Sequence, residues 1–246
     1  MFIYQIIIEY EGTNYVGWQI QKNGISIQET IQKILTKTLK QKTILYGSGR
    51  TDSGVHACAQ SAHFTSKTKI NNNLFFLNTV NFFLRKKKIS ILEIKQKNKN
   101  FHARYSAKKR VYKYVIINRT APLSLETNKA WHIKSILNFK LLKKAGKILE
   151  GTKDFSVYRS SSCGAKSPVR TLDKVVISKK SDKIIITFKS KSFLQQQVRS
   201  MVGCLKFVAE EKWSLKKFKA VMDSKKRINC APPAPSQGLY LLKVNY

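Results

Sequence analysis

The sequence predicts an α+β protein of two similar halves. Each half is a split β-α-β-β-α-β unit of the ferredoxin or RRM-like kind, with antiparallel strands and helices on one side. Three observations carry this expectation. β-branched and aromatic runs of strand length are bounded by polar turns, as from Phe2 to Tyr10. Between them, apolar residues recur at helical spacing, as in Ile27, Ile31, Ile34, Leu35 and Leu39. The same order of elements occurs twice, in residues 1–100 and 101–246, joined by the polar, basic stretch 96–109. Halves of this topology leave one sheet face open for a ligand, as in RNA-binding modules of the same topology, and a pseudo-twofold arrangement would set a central cleft between them.

In the first half, a polar loop through Gly12, Gly17 and Trp18 follows the opening strand. Ser26-Ile27-Gln28-Glu29 then reads as a capping box, because the serine oxygen can accept an orphan N–H of the first helical turn. A short strand over 43–46 leads into a glycine-rich loop, and 55–64 is the strand out of it. Residues 74–84 read as a helix with Leu74, Leu77, Val80 and Leu84 on its inner side. The run Arg85–Lys88 is either a solvated helix end or a phosphate-binding patch, and 89–94 is a strand.

The second half begins with a strand over 111–117. A helix over 136–150 follows, with Gly151 placed as its C-cap. Residues 172–178 and 184–188 form a hairpin about Lys180-Ser181-Asp182. Leu194, Val198, Met201, Val202, Leu205 and Val208 mark another helix, Ser214 caps a shorter one over 215–222, and 239–244 is the last strand.

Charge narrows the function. The 246 residues include 47 Lys and Arg against 13 Asp and Glu, a net charge of +34. Self-repulsion on that scale opposes compaction, so a polyanionic partner is expected, nucleic acid before an anionic membrane. The four cysteines, Cys58, Cys163, Cys204 and Cys230, form no CxxC pair and no ligand-spaced cluster with histidine. They read as buried thiols of a reducing compartment, with no metal. The N-terminus lacks the pattern of a signal peptide and no apolar run is long enough to span a bilayer, so a soluble, cytoplasmic protein is expected.

The stretch Tyr46 to Cys58 concentrates the chemistry. Three glycines, Gly47, Gly49 and Gly54, surround Asp52, with Arg50 two positions before it. Read alone, such a cluster is most often a turn, since Asp satisfies turn backbone with its own side chain. It is neither a P-loop, which needs Lys then Ser or Thr after the last glycine, nor a dinucleotide fingerprint. Gly49-Arg50-Thr51-Asp52-Ser53-Gly54-Val55-His56-Ala57 resembles the signature of the tRNA pseudouridine synthases of the TruA family. The resemblance implies the pseudouridine synthase fold, with Asp52 as the catalytic residue.

Three further segments extend the resemblance from Tyr10 to the last strand. Phe101 to Tyr114 interleaves aromatics with Arg104, Lys108, Lys109 and Arg110, a pattern suited to base stacking beside phosphate contacts. It is similar to the family's second motif, which gives Tyr112 the role of stacking on the target base. In Phe193–Leu205, Arg199 stands beside the apolar stripe. It is either solvated or paired with a carboxylate, and the resemblance implies that Arg199 pairs with Asp52 and keeps it ionised. Glutamines, Gln196 and Gln197, stand where the family usually carries histidines. Ala234 to Leu241 reads as a core strand with a proline-rich approach; by resemblance, Leu239 lines the uracil pocket. Asp154–Ser156 with Cys163–Thr171 is a polar loop that resembles one contacting RNA in the family.

The family implies isomerisation of uridine at tRNA positions 38, 39 and 40, in the anticodon stem-loop, by a homodimer without cofactor. Arg50 would fill the gap left by the flipped uridine. The rival is a non-catalytic RNA-binding or ribosome-associated protein, which accounts for the charge but not for an acid set in the most basic, glycine-rich loop.

Overall fold

A computed structural model describes all 246 residues, Met1–Tyr246, and they divide into two compact units. One is Met1–Lys108 together with Tyr240–Tyr246; the other is Lys109–Leu239. Both are mixed α and β with mostly antiparallel strands, as expected.

The first unit contains β1 (Phe2–Tyr10), α1 (Ile27–Leu39), β2 (Tyr46–Gly47), β3 (His56–Ser66), α2 (Asn73–Leu84) and β4 (Ile89–Lys97). The strands run β4-β1-β3, all antiparallel, with β2 on the other edge of β3. Alternation along β1 buries Tyr4, Ile6, Ile8 and Tyr10 on one face, in a core shared with Ile27, Ile31 and Leu35 of α1. Phe64 of β3 stacks on both Tyr4 and Phe76 of α2. The opposite face of the sheet carries Gln5, Ser61 and His63, and Gln5 Nε2 donates to Ser61 Oγ at 2.9 Å.

Ser26 caps α1 as its sequence predicts, its Oγ accepting from Glu29 N at 3.2 Å. Two expectations are corrected here. Residues 43–45 are not strand, because side chains of α1 take their backbone: Thr43 N donates to Thr36 Oγ1 and Leu45 N to Gln32 Oε1. The inner face of α2 is Phe76, Val80 and Leu84, and Leu74 is exposed. The run Arg85–Lys88 is the solvated end of α2, one of the two readings of the sequence, with Arg85–Lys87 in a 3-10 turn. Its Lys87 carbonyl accepts from the Tyr15 hydroxyl at 2.5 Å, and Lys88 Nζ pairs with Glu11 at 2.9 Å.

The second unit contains β5 (Lys109–Asn118), β6 (Trp131–Ile133), α3 (Phe139–Ile148), β7 (Gly151–Asp154), β8 (Val169–Lys180), β9 (Lys183–Ser190), α4 (Gln197–Ala209) and α5 (Leu215–Asp223). Its antiparallel order is β5-β9-β8-β7, and β6 pairs parallel to β5. The hairpin turns at Ser181, at φ 54°, as the polar tripeptide predicts. Helix α3 starts later than expected because Asn138 caps it, accepting from Leu141 N at 3.1 Å. Leu149, not Gly151, closes that helix, and Gly151 opens β7. The strands β6 and β7 are too short to leave a pattern in the sequence.

The final strand, β10 (Leu239–Asn245), was expected with the second half. Its pairing is instead parallel to β3, with Tyr240 opposite His56 and Leu241 opposite Ala57. Tyr246 closes the contact, its hydroxyl bonding Ser61 Oγ at 2.8 Å and the Ala103 carbonyl at 2.7 Å.

Candidate active site

Asp52 lies half-buried on the loop between β2 and β3, and that loop is pinned from both sides. On one side, Ser48 N donates to the Ser61 carbonyl at 2.7 Å. Gln60, fully buried, accepts from Ser48 Oγ at 2.7 Å and donates Nε2 to the Gly49 carbonyl at 3.0 Å. On the other side stands the loop after β1. Trp18 N donates to the Thr51 carbonyl at 3.1 Å, and the Tyr10 hydroxyl meets Thr51 Oγ1 at 2.8 Å. Ser53 Oγ donates to the Tyr15 carbonyl at 3.1 Å, and Val55 N closes a turn onto the Asp52 carbonyl at 3.2 Å.

Gly17 sets how closely these two loops pack. Its φ is +113°, a conformation L side chains rarely adopt. A Cβ there would lie 2.6 Å from the Thr51 carbonyl oxygen and 3.2 Å from the Asp52 carbonyl carbon. The backbone of Asp52 therefore rests on a position that admits no side chain. His56, at the start of β3, is a brace rather than a metal ligand. Its Nδ1 accepts from Gly12 N at 3.0 Å, and its ring stacks on Tyr240 at 4.7 Å. No three His, Cys, Asp or Glu side chains come together where they could hold a metal ion.

Of the other residues singled out in the first unit, Arg50 is exposed, and its Nε donates to Gln19 Oε1 at 3.1 Å. Arg104 is exposed on the segment after β4, its guanidinium 5.7 Å from the Tyr105 ring centre.

In the second unit, the segment 234–239 is held by two residues. Arg199 on α4 donates Nε to the Ala234 carbonyl at 2.7 Å, and Ala234 N returns a bond to the Arg199 carbonyl at 2.9 Å. Tyr114 donates its hydroxyl to the Pro235 carbonyl at 2.7 Å. Burial pushes that hydroxyl's pKa well up, so it remains a donor. Gly238 lies against the Tyr114 ring so closely that a Cβ would come within 2.6 Å of it. Leu239 follows, buried. Tyr112 shares the strand face of Tyr114 and is buried, meeting Phe193 edge-on at 5.1 Å. Arg110 donates Nη1 to the Lys191 carbonyl at 2.7 Å.

Arg199 and the strand carrying Tyr112 thus converge on the segment leading to Leu239, with Tyr114 as a link that sequence reasoning passed over. Of the glutamines, Gln197 is buried and accepts from Leu194 N at 2.8 Å, while Gln196 takes a left-handed backbone at φ 61° before α4. Asp154 caps the turn that follows it, accepting from Ser156 N at 2.8 Å, and Phe155 and Tyr158 are fully buried. No helix is long and apolar enough to cross a membrane.

A family model described as tRNA pseudouridine synthase matches residues 6–106 and 145–246. The chain is 58% identical over 246 residues to tRNA pseudouridine synthase A of Pelagibacter ubique (strain HTCC1062), covering 100% of both chains. It is 40% identical over 243 residues to the protein of that name from Parvibaculum lavamentivorans, covering 99% of this chain and 98% of the relative. For the one from Maricaulis maris the identity is 39% over 243 residues, 99% of this chain and 97% of the relative.

Proposed function

The chain belongs to the tRNA pseudouridine synthase family, and from that membership we propose that it isomerises uridine to pseudouridine in the anticodon stem-loop of tRNA, at positions 38, 39 and 40. The reaction breaks the C–N glycosidic bond of a uridine and joins the same base to the same ribose through carbon. It involves no net redox change and no external group donor. Asp52 is the nucleophile, attacking at the base or the ribose. Arg199 supplies the guanidinium that keeps this carboxylate charged, since a nucleophilic carboxylate must stay ionised. Tyr112 and Leu239 enclose the uracil. A stacked base hides its reactive atoms, so the uridine must leave the helix, and Arg50 occupies the gap it leaves. Arg104 and Arg110, with the lysine surplus, hold phosphates. The acting species is a homodimer in the cytoplasm.

The observation that carries the reading is the mounting of Asp52. A carboxylate in a chain of net charge +34 sits on a loop fixed by buried Gln60 on one side and by Gly17 and Trp18 on the other. A reactive group must be held to within a fraction of an ångström, whereas a turn aspartate needs no such support. The test is pseudouridine mapping in an unmodified tRNA transcript incubated with the pure protein and nothing else. Wild type is expected to convert the target uridines. Asp52→Ala is expected to bind tRNA and convert none. Pseudouridine formed by Asp52→Ala at the wild-type rate would overturn the assignment and leave a protein that only binds RNA.

A further inference from the structure

The first unit carries a second aromatic cluster, on the sheet face opposite its helices. Tyr46 of β2 and His63 of β3 are paired across the strands, their rings stacked at 5.1 Å and 22°. His102 packs on both, 4.6 Å from His63 and 5.8 Å from Tyr46. Tyr105 lies on His102 at 4.4 Å and 36°, and the Arg104 guanidinium is 5.7 Å from the Tyr105 ring centre. The mount is rigid. Ala103 N donates to His63 Nδ1 at 3.2 Å, Arg104 N to His102 Nδ1 at 3.1 Å, and Ser106 N to the His102 carbonyl at 2.9 Å.

The outer rings of this cluster face water. Tyr105 is 76% exposed and Tyr46 is 44% exposed. Neither is needed to fill the core, yet Tyr46 lies on the buried His63 and Tyr105 on the half-buried His102. Both imidazoles are neutral near pH 7: burial, with the neighbouring His102, draws His63 down to about 4, and burial with Arg104 lowers His102. In each, Nδ1 accepts a backbone N–H, so the rings present a neutral π-face. From Gln96 to Lys108 the chain carries Lys97, Lys99, Arg104 and Lys108 and no acid. Stacked neutral rings, open at one end and edged with cations, suit a nucleobase and its phosphate.

We propose that Tyr46, His102 and Tyr105 form a stacking site for an unpaired nucleobase of the RNA substrate, with Arg104 at the adjoining phosphate. The proposal rests on the reading of the chain as a tRNA-modifying enzyme and adds a contact to it. The base held here is not the one that reacts. His63 lies seven residues along β3 from His56, about 23 Å at the usual rise of a strand, and Asp52 sits at the His56 end of its loop, its carbonyl accepting from Val55 N at 3.2 Å. The site therefore takes another nucleotide of the same RNA and fixes its register while the target is handled elsewhere.

The experiment compares wild type, Tyr105→Ala, Tyr105→Phe and Arg104→Gln. Its probe is an unmodified full-length tRNA transcript, titrated at several salt concentrations, with single-turnover pseudouridine formation at saturating protein. Loss of one base–aromatic stack weakens binding by roughly 5- to 100-fold. Tyr105→Ala is expected to show that loss with the wild-type salt slope, and Tyr105→Phe to restore affinity. Arg104→Gln is expected to reduce the slope of log K against log salt by about one unit. The single-turnover rate at saturation stays unchanged in Tyr105→Ala and Tyr105→Phe, since Tyr105 does not touch the target base.

Wild-type affinity in Tyr105→Ala would overturn the site while leaving the synthase reading standing. Loss of dimer in sedimentation with unchanged RNA affinity would overturn it in favour of a protein interface. If wild type forms no pseudouridine, the synthase reading falls, and the affinity series still decides the stacking site.

Discussion

Replacing Gly17 by alanine drives a methyl carbon to 2.6 Å from the Thr51 carbonyl oxygen, where ordinary contact begins at 3.4 Å. The difference, 3.4 − 2.6 = 0.8 Å, is the least that the two loops must part. The displaced carbonyl belongs to the residue before Asp52 and accepts from Trp18 N, so that bond lengthens as well. Forcing an L residue to positive φ costs about 1–2 kcal/mol, and overpacking a rigid contact about 1–3 kcal/mol more. Destabilisation of about 3 kcal/mol is expected, a fall in Tm of roughly 6–12 °C for a chain of this size. The chemical effect is larger, because a shift near 1 Å at a reacting group costs on the order of 100-fold in rate. Circular-dichroism melting and single-turnover pseudouridine formation read the two effects separately. Gly164→Ala is the control, since nothing lies within 4 Å of a Cβ there. A Gly17→Ala protein that melts and turns over like wild type would refute the claim that this contact positions Asp52.

Further expectations concern other parts of the molecule. Gln60→Ala strips partners from Ser48 Oγ and the Gly49 carbonyl, so a loss of about 2–4 kcal/mol in urea unfolding is expected alongside reduced turnover. Arg199→Ala is expected to lower kcat at least 100-fold with little change in KM, as measured by steady-state kinetics on a tRNA transcript. His63 has a folded-state pKa of about 4, below its usual 6.5. The unfolded chain takes up its proton first, so stability is fully present above pH 6.5 and declines as pH falls toward 4; His63→Asn should flatten that limb in denaturant titrations. Of the four cysteines expected to be buried only Cys204 is, the others lying in partly open positions, and Cys204 and Cys230 approach to 3.5 Å between sulfurs. The hydrogen bond with Cys204, together with Arg227, lowers the Cys230 thiol, whereas Cys204 is raised. Alkylation at neutral pH followed by peptide mass mapping should label Cys230 before Cys204.

What the sequence makes legible is what local chemistry decides. Ser26 and Ser214 cap their helices as their spacing implies, accepting from Glu29 N and Lys217 N. The strand alternation of Tyr4, Ile6, Ile8 and Tyr10 also appears as read. Helix α2 was misread for a physical reason. Leu74, Phe75, Phe76, Leu77, Val80, Phe82, Phe83 and Leu84 surround it with apolar side chains, and only tertiary packing selects Phe76, Val80 and Leu84 as its inner face. The Asp52 loop was identified by its motif, but its supports were not. Gly17, Trp18 and Tyr10 reach Thr51 across more than thirty residues of sequence, and nothing in the spacing marks them as partners. In the sequence Tyr114 only ends the aromatic stretch that begins at Phe101; its hold on Pro235 spans 121 positions.

The pairing of β10 with β3 places a demand on synthesis. The sheet edge beside the Asp52 loop is completed by residues translated about 130 codons after Lys108, once the whole of Lys109–Leu239 has emerged. A nascent chain stalled before Tyr240 lacks the ring that stacks on His56 and the hydroxyl that ties Ser61 to Ala103. Premature termination late in the message would thus damage the earliest-made part of the protein. Partial translation products would not carry a properly seated Asp52 loop into contact with cellular RNA.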